Sequence, residues 1–194
     1  MKFINAFQKA IFFFSIFYLL YFFIEFIAAL NIRSVSLLAD SIDFIEDASI
    51  NFLIFFAIFL TPIKRAKISI LLSVIMLLPA ITALWAIVQQ IIYFNPPKPL
   101  QLSIVALGAL IVNCICIYIL TRFRNYKGSL TKAAFLSARN DVFANMAIII
   151  AGVITYFYPS IWPDIIVGLL IAYIRIKSAI EIYRKAQNEL YAYK

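Results

Sequence analysis

The sequence predicts an all-α, polytopic membrane protein folded as a bundle of six transmembrane helices, and two observations predict it. Of its 194 residues, 65% are apolar and 13% are charged, whereas a soluble domain has roughly 45–50% apolar and about 25% charged residues. The apolar residues also form continuous runs of more than about 18 residues, which is long enough to cross a bilayer. Continuous rather than alternating runs indicate helices, which satisfy their own backbone hydrogen bonds in lipid. The composition therefore excludes a soluble enzyme, a nucleic-acid-binding module and a disordered chain.

Hydropathy divides the chain into six spans joined by short loops, which we interpret as a single transmembrane domain over residues 1–194. The third span has no charge between Ile68 and Phe94, and the fourth has none between Leu100 and Thr121. Pro79 is expected to kink the third span, because proline lacks an amide hydrogen and crowds the preceding turn. The predicted spans are approximately residues 10–32, 35–61, 68–94, 100–121, 133–158 and 161–183.

Basic residues are distributed unevenly over the loops between these spans. Of the 17 Lys and Arg residues, all but Arg33, Lys98 and Arg139 fall on the side of the chain termini, if Arg175 is counted at the end of the sixth span. Cytoplasmic loops of membrane proteins carry an excess of Lys and Arg. We therefore expect cytoplasmic termini, as in a multi-pass protein of a bacterial inner (plasma) membrane. The net charge of +8 then reflects topology rather than a nucleic-acid partner.

Acidic residues do not follow this pattern, because six of the nine lie in the body of predicted spans, whereas Asp164 and Glu181 lie at the two ends of the sixth span and Glu189 follows it. A charged side chain at mid-bilayer costs roughly 2.5–3.5 kcal/mol on insertion scales. Acidic residues in spans accordingly mark an ion or proton path. The six are Glu25, Asp40, Asp43, Glu46, Asp47 and Asp141.

Two of the spans share a polar spacing of four residues, which puts the polar side chains on one helical face. We interpret the two faces as opposite walls of one buried site. Carboxylate and amide oxygens in such a site suit a divalent cation. The residues are Asp43, Asp47 and Asn51 in the second span, and Ser137, Asp141 and Asn145 in the fifth.

At these residues the chain resembles the cation diffusion facilitator (cation efflux) family of divalent-metal/proton antiporters. The stretch SVSLLADSIDFIED, residues 34–47, is similar to the second span of that family, and FLSARND, residues 135–141, is similar to the fifth. The resemblance implies four metal ligands, cytoplasmic termini and a homodimer. The implied ligands are Asp43, Asp47, Asp141 and Ser137.

The sequence departs from the family pattern at three places. Ser137 stands where the family has His or Asp, so that Asn140, Asn145 or a water are alternative fourth ligands. The chain contains no histidine, and hence no His-rich loop between the fourth and fifth spans. The third departure is that the family's C-terminal cytoplasmic domain does not follow the sixth span, so that the resemblance implies a short, transmembrane-only branch whose dimer contacts would come from the spans.

Other polar residues in the spans have more than one interpretation. Asp40 is predicted either to line the ion path or to cap the second span. Glu25 could support the ligands, carry protons or pair with Arg33. Glu46 is expected to form a structural ion pair with Arg139, because an unpaired intramembrane arginine is costly. Asn51, Asn140 and Asn145 are predicted to lie beside the ligands or along the path.

These observations predict a secondary transporter that exports Zn²⁺, Mn²⁺, Fe²⁺, Co²⁺ or Cd²⁺ from the cytoplasm in exchange for protons. It would not be an enzyme, and its only bound group would be the transported metal. An oxygen-rich site favours Mn²⁺ or Fe²⁺, whereas the resemblance implies Zn²⁺. One alternative is a non-transporting paralogue or partner subunit. A CDP-alcohol-phosphotransferase-like membrane enzyme is disfavoured, because Phe44 and Ile45 follow Asp43 and the Gly and Arg of the DxxDGxxAR motif are missing.

Overall fold

The computed structural model describes residues 2–57, 60–122 and 129–192, and within these residues it contains helices and no strands. This confirms the predicted all-α bundle, and the six predicted spans correspond to seven helical segments. The segments are α1 (Lys2–Ile32), α2 (Val35–Ala57), α3 (Pro62–Ile75), α4 (Leu78–Tyr93), α5 (Pro99–Arg122), α6 (Ser129–Phe157) and α7 (Trp162–Ala192).

The third span is divided into α3 and α4 by a turn at Met76 and Leu77. Pro79 lies in the first turn of α4, where its missing amide hydrogen is tolerated. Because proline has no amide hydrogen, it cannot bond to the carbonyl four residues earlier, which belongs to Ile75, the last residue of α3. The predicted effect of Pro79 is therefore confirmed, and it takes the form of a break between two helices.

The surface of the bundle is apolar, as expected for a multi-pass integral membrane protein. Large side chains such as Phe13, Phe23 and Trp85 are more than half exposed. Four segments are long and apolar enough to cross a membrane by length and composition: Ile11–Ile32, Ala66–Tyr93, Pro99–Ile119 and Ala138–Phe157. The remaining two spans, α2 and α7, have 23 and 31 residues, which is long enough to cross a membrane, but they carry several charged residues.

Three helices, α2, α6 and α7, touch one another at the centre of the bundle. Around them, α1 packs on α2, α5 packs on α6, and α3 and α4 pack on α7. The first turns of α2 and α7 are in contact, so the two helices run parallel. The start of α1 and the end of α7 therefore lie at one end of the bundle, which we call the termini end, and the turn between α1 and α2 lies at the other, the Asp164 end.

Asp164 joins α7 to α2 at the Asp164 end. Its fully buried carboxylate accepts hydrogen bonds from the Val35 amide at 2.7 Å and the Ser36 amide at 3.2 Å. The Ser34 hydroxyl donates to it at 2.7 Å, the Gln90 side-chain amide donates at 3.1 Å, and the Ser36 hydroxyl also donates. A carboxylate from α7 thus satisfies the free amides of the first turn of α2.

Gly168 allows the close approach that these hydrogen bonds require. It lies one turn after Asp164 on α7, facing the start of α2. A Cβ atom at this position would lie 2.6 Å from Cγ1 of Val35, which is too close for a normal contact. Any larger residue would push α7 away from α2.

Candidate cation site at the junction of α2, α6 and α7

The structure brings together the three carboxyl groups that the spacing predicts as ligands. Asp43 and Asp47 lie one turn apart on α2, and Asp141 lies opposite them on α6. Their exposed fractions are 2%, 4% and 2%, so all three are shielded from water and lipid. Asp47 and Asp141 are close enough for their side chains to interact directly. The predicted two-walled site is thus present as an arrangement of side chains.

Arg175 on α7 provides a third wall that the sequence analysis did not predict. Its Nη2 atom lies 2.7 Å from Oδ2 of Asp43 and also donates to Oδ1 of Asp141. Its Nη1 atom lies 3.9 Å from Oε1 of Glu46. Both Arg175 and Glu46 are buried, with exposed fractions of 2% and 1%. One guanidinium therefore faces three carboxyl groups from two helices.

Two expectations about charged residues are wrong. Arg175 does not belong to the basic residues at the end of a span, because its side chain is buried in the bundle. Glu46 faces Arg175 rather than Arg139, whose side chain is exposed. The physical reason is helical rotation: Arg139 precedes Asp141 by two residues, which turns it roughly 200° away from the site.

A signal for Arg175 was present in the sequence. The sixth predicted span, residues 161–183, places Arg175 near its middle, with Ile174 and Ile176 on either side. An arginine at that depth needs an acidic partner, because an unpaired intramembrane arginine is costly. Counting Arg175 as a residue of the span end concealed this requirement.

The two asparagines of the spacing pattern, Asn51 on α2 and Asn145 on α6, each form the same hydrogen bond to the carbonyl four residues earlier. The Asn51 side-chain amide donates to the Asp47 carbonyl at 2.8 Å, and that of Asn145 donates to the Asp141 carbonyl at 2.8 Å. Both are buried, and neither amide oxygen has a hydrogen-bond donor among the described residues. Each asparagine therefore leaves an oxygen that can accept a bond from a proton donor or a cation.

A second acidic pair lies one turn further toward the Asp164 end. Glu25 on α1 and Asp40 on α2 are fully buried and lie within hydrogen-bond reach of each other. Neither finds a donor among the described side chains and backbone amides. The alternative of Asp40 as a helix cap is wrong, since α2 is capped by Ser34, whose hydroxyl oxygen accepts the Leu37 amide at 3.1 Å.

Arg33 does not take the role of a partner for Glu25. It is exposed at the turn between α1 and α2, where its guanidinium lies 5.9 Å from the centre of the Tyr93 ring. Its backbone has a φ of 56°, which is uncommon for a residue other than glycine. The Glu25 carboxyl therefore belongs with Asp40 in the interior of the bundle.

Two further predicted residues lie on α6 beside Asp141. Ser137 is one turn before Asp141, but its side chain lies outside the described part of the structure, so its role as fourth ligand stays a prediction. The Asn140 side-chain amide lies 3.5 Å from the Ser178 hydroxyl of α7. Asn140 thus points along the α6–α7 contact.

A groove of about 380 Å³ runs between α2, α3, α6 and α7 at the termini end. Asn140 lines it, directly before the site residue Asp141 in the chain. Arg139, Lys177 and Lys185 place positive charge along its wall, and Glu181 pairs with Lys185 at 2.6 Å. The groove lies at the termini end and reaches Asn140, but Asp43, Asp47 and Asp141 do not line it.

The arrangement is rich in oxygen acceptors and holds one internal cation. Among the described residues, no three His, Cys, Asp or Glu side chains are positioned to hold a metal ion directly. The cation that contacts both Asp43 and Asp141 in this structure is Nη2 of Arg175. Chemically, the carboxylate and amide oxygens fit a hard or borderline divalent cation that takes the place of the guanidinium.

Comparison with known proteins adds one match. The family model described as the cation efflux transmembrane domain matches residues 11–191, which includes α2 to α6, most of α1 and all but the last residue of α7. No individual curated protein matches the chain. The match covers the acidic positions of α1, α2 and α6 as well as Arg175.

Proposed function

Because the chain belongs to the cation efflux transmembrane domain family, whose members are transporters rather than enzymes, we propose that it transports a divalent metal cation through Asp43, Asp47 and Asp141. The observation that carries this proposal is the excess of buried acceptors over donors at the α2–α6–α7 junction. Oδ2 of Asp141 and the amide oxygens of Asn51 and Asn145 have no donor among the described residues. Such oxygens are costly to bury unless they serve an ion.

The proposed mechanism is alternating access to this one site. The metal reaches the carboxyl groups through the groove at the termini end, and a second helix arrangement exposes them to the Asp164 end. Protons then compete with the metal, because a carboxylate cannot bind both at once. Protonation on the far side releases the metal and carries protons back, so that the proton gradient drives export.

The proposed orientation follows from the basic residues. With both termini in the cytoplasm, the groove opens to the cytoplasm and the metal is exported, as in a bacterial inner membrane. A homodimer in the bilayer completes the proposal, with the two copies touching through their spans. The proposed substrates are Mn²⁺ and Fe²⁺ on ligand chemistry and Zn²⁺ on family resemblance, with Co²⁺ and Cd²⁺ next.

A second candidate function is a non-transporting paralogue or partner subunit, and Arg175 favours it. Its guanidinium already contacts Asp43 and Asp141, the two carboxyl groups that would bind metal from opposite helices. A permanent cation at this position would block transport if it never moved. The two candidates predict different fluxes from the purified protein alone.

The experiment that tests the proposal is metal flux into proteoliposomes that contain a pH-sensitive dye. Zn²⁺, Mn²⁺, Fe²⁺, Co²⁺ and Cd²⁺ are compared for the wild type, Asp47→Ala and the control Glu181→Ala. Asp47 lies in the buried cluster, whereas Glu181 is an exposed acid on the groove wall that pairs with Lys185, so that its removal should change flux by no more than about twofold. We expect Asp47→Ala to lower flux by more than about 100-fold, since loss of even an outer-shell partner costs about 10–100-fold.

Each result of the flux experiment leads to a different conclusion. Metal flux with opposite proton movement, lost in Asp47→Ala and kept within about twofold in Glu181→Ala, supports the antiporter and identifies its substrate. Metal flux without proton movement supports transport but contradicts the exchange. Full flux in Asp47→Ala rules out the proposed site. No flux of any of the five metals from folded protein favours the partner subunit.

A further inference from the structure

We propose that Arg175 is a resident cation that competes with the transported metal for Asp43 and Asp141, and that Glu46 receives its guanidinium when the metal binds. This inference rests on the proposed function, which it deepens by assigning the residue that sets the affinity for metal. It concerns one position of α7, whereas the ligands predicted from the sequence lie on α2 and α6.

The first argument is that the metal and Arg175 need the same two carboxyl groups. A single nitrogen, Nη2, contacts Oδ2 of Asp43 and Oδ1 of Asp141. A metal ion shared by the two carboxylates would lie close to this nitrogen, and the like charges of metal and guanidinium repel each other. Binding of one therefore requires displacement of the other.

The second argument is that Arg175 cannot leave by losing its charge. An arginine side chain stays protonated in proteins, so the guanidinium must find another acidic partner inside the bundle. Moving it into lipid without a partner is costly. The displaced group therefore needs a carboxyl group that the metal does not use.

Glu46 meets this requirement. It lies three residues after Asp43 on α2 and is buried, with an exposed fraction of 1%. Its Oε1 atom is 3.9 Å from Nη1 of Arg175, which is beyond hydrogen-bond distance but within the reach of a small side-chain rotation. Neither Oε1 nor Oε2 has a hydrogen-bond donor among the described residues. Glu46 thus lies beside the guanidinium and can form an ion pair with it after the metal displaces it from Asp43 and Asp141.

The inference predicts opposite effects for the two residues. Removal of the guanidinium in Arg175→Gln eliminates the competitor and should tighten metal binding. Removal of the receiving carboxylate in Glu46→Gln leaves the displaced guanidinium without a partner and should weaken binding. In the Arg175→Gln background, Glu46→Gln should have little effect, because there is no guanidinium to receive.

The test is a double-mutant cycle on the dissociation constant for Mn²⁺ and, in parallel, Zn²⁺, measured by calorimetry on the purified full-length chain in detergent. The variants are Arg175→Gln, Glu46→Gln and their combination. The control is Arg184→Gln, which removes an exposed arginine from the same helix. We expect Kd to fall about tenfold in Arg175→Gln, equivalent to about 1.4 kcal/mol at 25 °C. Non-additivity in the cycle measures the coupling between the two side chains.

Arg175→Gln leaves several buried acids without their cation, and this variant could therefore be unstable in the absence of metal. The same inference then predicts a different observable. Mn²⁺ should raise the Tm of Arg175→Gln by more than it raises that of the wild type, because a tighter ligand stabilises the folded state more. An unstable variant that Mn²⁺ does not rescue contradicts the inference.

The outcomes separate this inference from the proposed function. If the wild type binds metal and Arg175→Gln binds no tighter, the inference fails and the transport proposal stands. If only Arg175→Gln binds metal, Arg175 blocks the site permanently, so that the exchange with Glu46 is ruled out and the protein is the non-transporting paralogue. If neither binds, both proposals fail. Equal tightening in Arg184→Gln, or an equal effect of Glu46→Gln in both backgrounds, also overturns the inference.

Discussion

Asp164 and Asp141 are both buried carboxyl groups in the same bundle, but their surroundings differ in the number of donors. Both oxygens of Asp164 accept hydrogen bonds, from two backbone amides, two hydroxyls and one side-chain amide. At Asp141, Arg175 donates to Oδ1, while Oδ2 has no donor among the described residues. Both oxygens of Asp164 are therefore hydrogen-bonded within the protein, whereas among the described residues only one oxygen of Asp141 is.

This difference indicates which acid stabilises the fold and which can bind a mobile ion. A carboxylate held by several donors gains nothing from a cation and fixes the helices that hold it. A carboxylate with a free oxygen, beside other acids, remains able to exchange one cation for another. The two acids are also far apart. Arg175, which contacts Asp141, follows Asp164 on α7 by 11 residues, which corresponds to about 16 Å of helix.

The strongest test of this comparison is to remove the fully hydrogen-bonded acid. Asp164→Ala leaves the Val35 and Ser36 amides without their acceptor at the α2–α7 contact. Each buried donor that loses its partner costs about 1–3 kcal/mol, so the total should reach about 3 kcal/mol. For a chain of this size, Tm should fall by about 10 °C, measured by thermal unfolding in detergent.

Asp164→Asn is the matched control, because it keeps one acceptor oxygen in the same shape and should have a smaller effect. The folded fraction of Asp164→Ala should still bind Mn²⁺ with a Kd close to that of the wild type. A normal Tm in Asp164→Ala, or a loss of metal binding at temperatures where it is folded, would contradict the separation of roles.

Gly168→Ala tests whether close packing, and not only hydrogen bonding, holds the Asp164 end together. The new methyl group would meet Val35 and push α7 away from α2. Overpacking of this kind costs about 1–3 kcal/mol, so Tm should fall by about 5 °C. Leu169→Ala, at an exposed neighbouring position, should leave Tm nearly unchanged. Equal effects of the two substitutions would show that the contact at Gly168 can relax.

Local patterns were sufficient to predict the helices and one part of the site. Runs of apolar residues predicted six spans, and Pro79 predicted the break between α3 and α4. The spacing of four residues placed Asp43 and Asp47 on one face of α2, which requires only the periodicity of a helix. All of these features depend on residues that are close in sequence.

The remaining features depend on contacts between distant parts of the chain. Asp164 is 130 residues from Ser34, and no local pattern relates an acid in α7 to the start of α2. The pairing of Arg175 with Asp43 and Asp141 depends on the rotation of α7 about its axis. The same applies to Arg139, which sequence reasoning placed opposite Glu46 and which the structure leaves exposed.

The contrast between the two arginines leads to the smallest predicted effect. Arg139 lines the groove at the termini end and is exposed, so Arg139→Gln should change Tm by no more than about 2 °C, as is usual for surface positions. A positive charge on the wall of the groove repels an approaching metal cation. Its removal should therefore raise initial Mn²⁺ uptake about twofold at low ionic strength. Proteoliposome flux measures this rate.

Salt provides the control for this last prediction, because an exposed charge is screened within about 3 Å at 1 M ionic strength. The difference between the wild type and Arg139→Gln should disappear at that concentration. By contrast, the effect of Arg175→Gln on metal binding should persist, since Arg175 is buried against its carboxyl partners. A fall in Tm for Arg139→Gln as large as that for Asp164→Ala would mean that Arg139 has a structural partner after all. A rate difference that survives high salt would mean that Arg139 acts by direct contact rather than through its field.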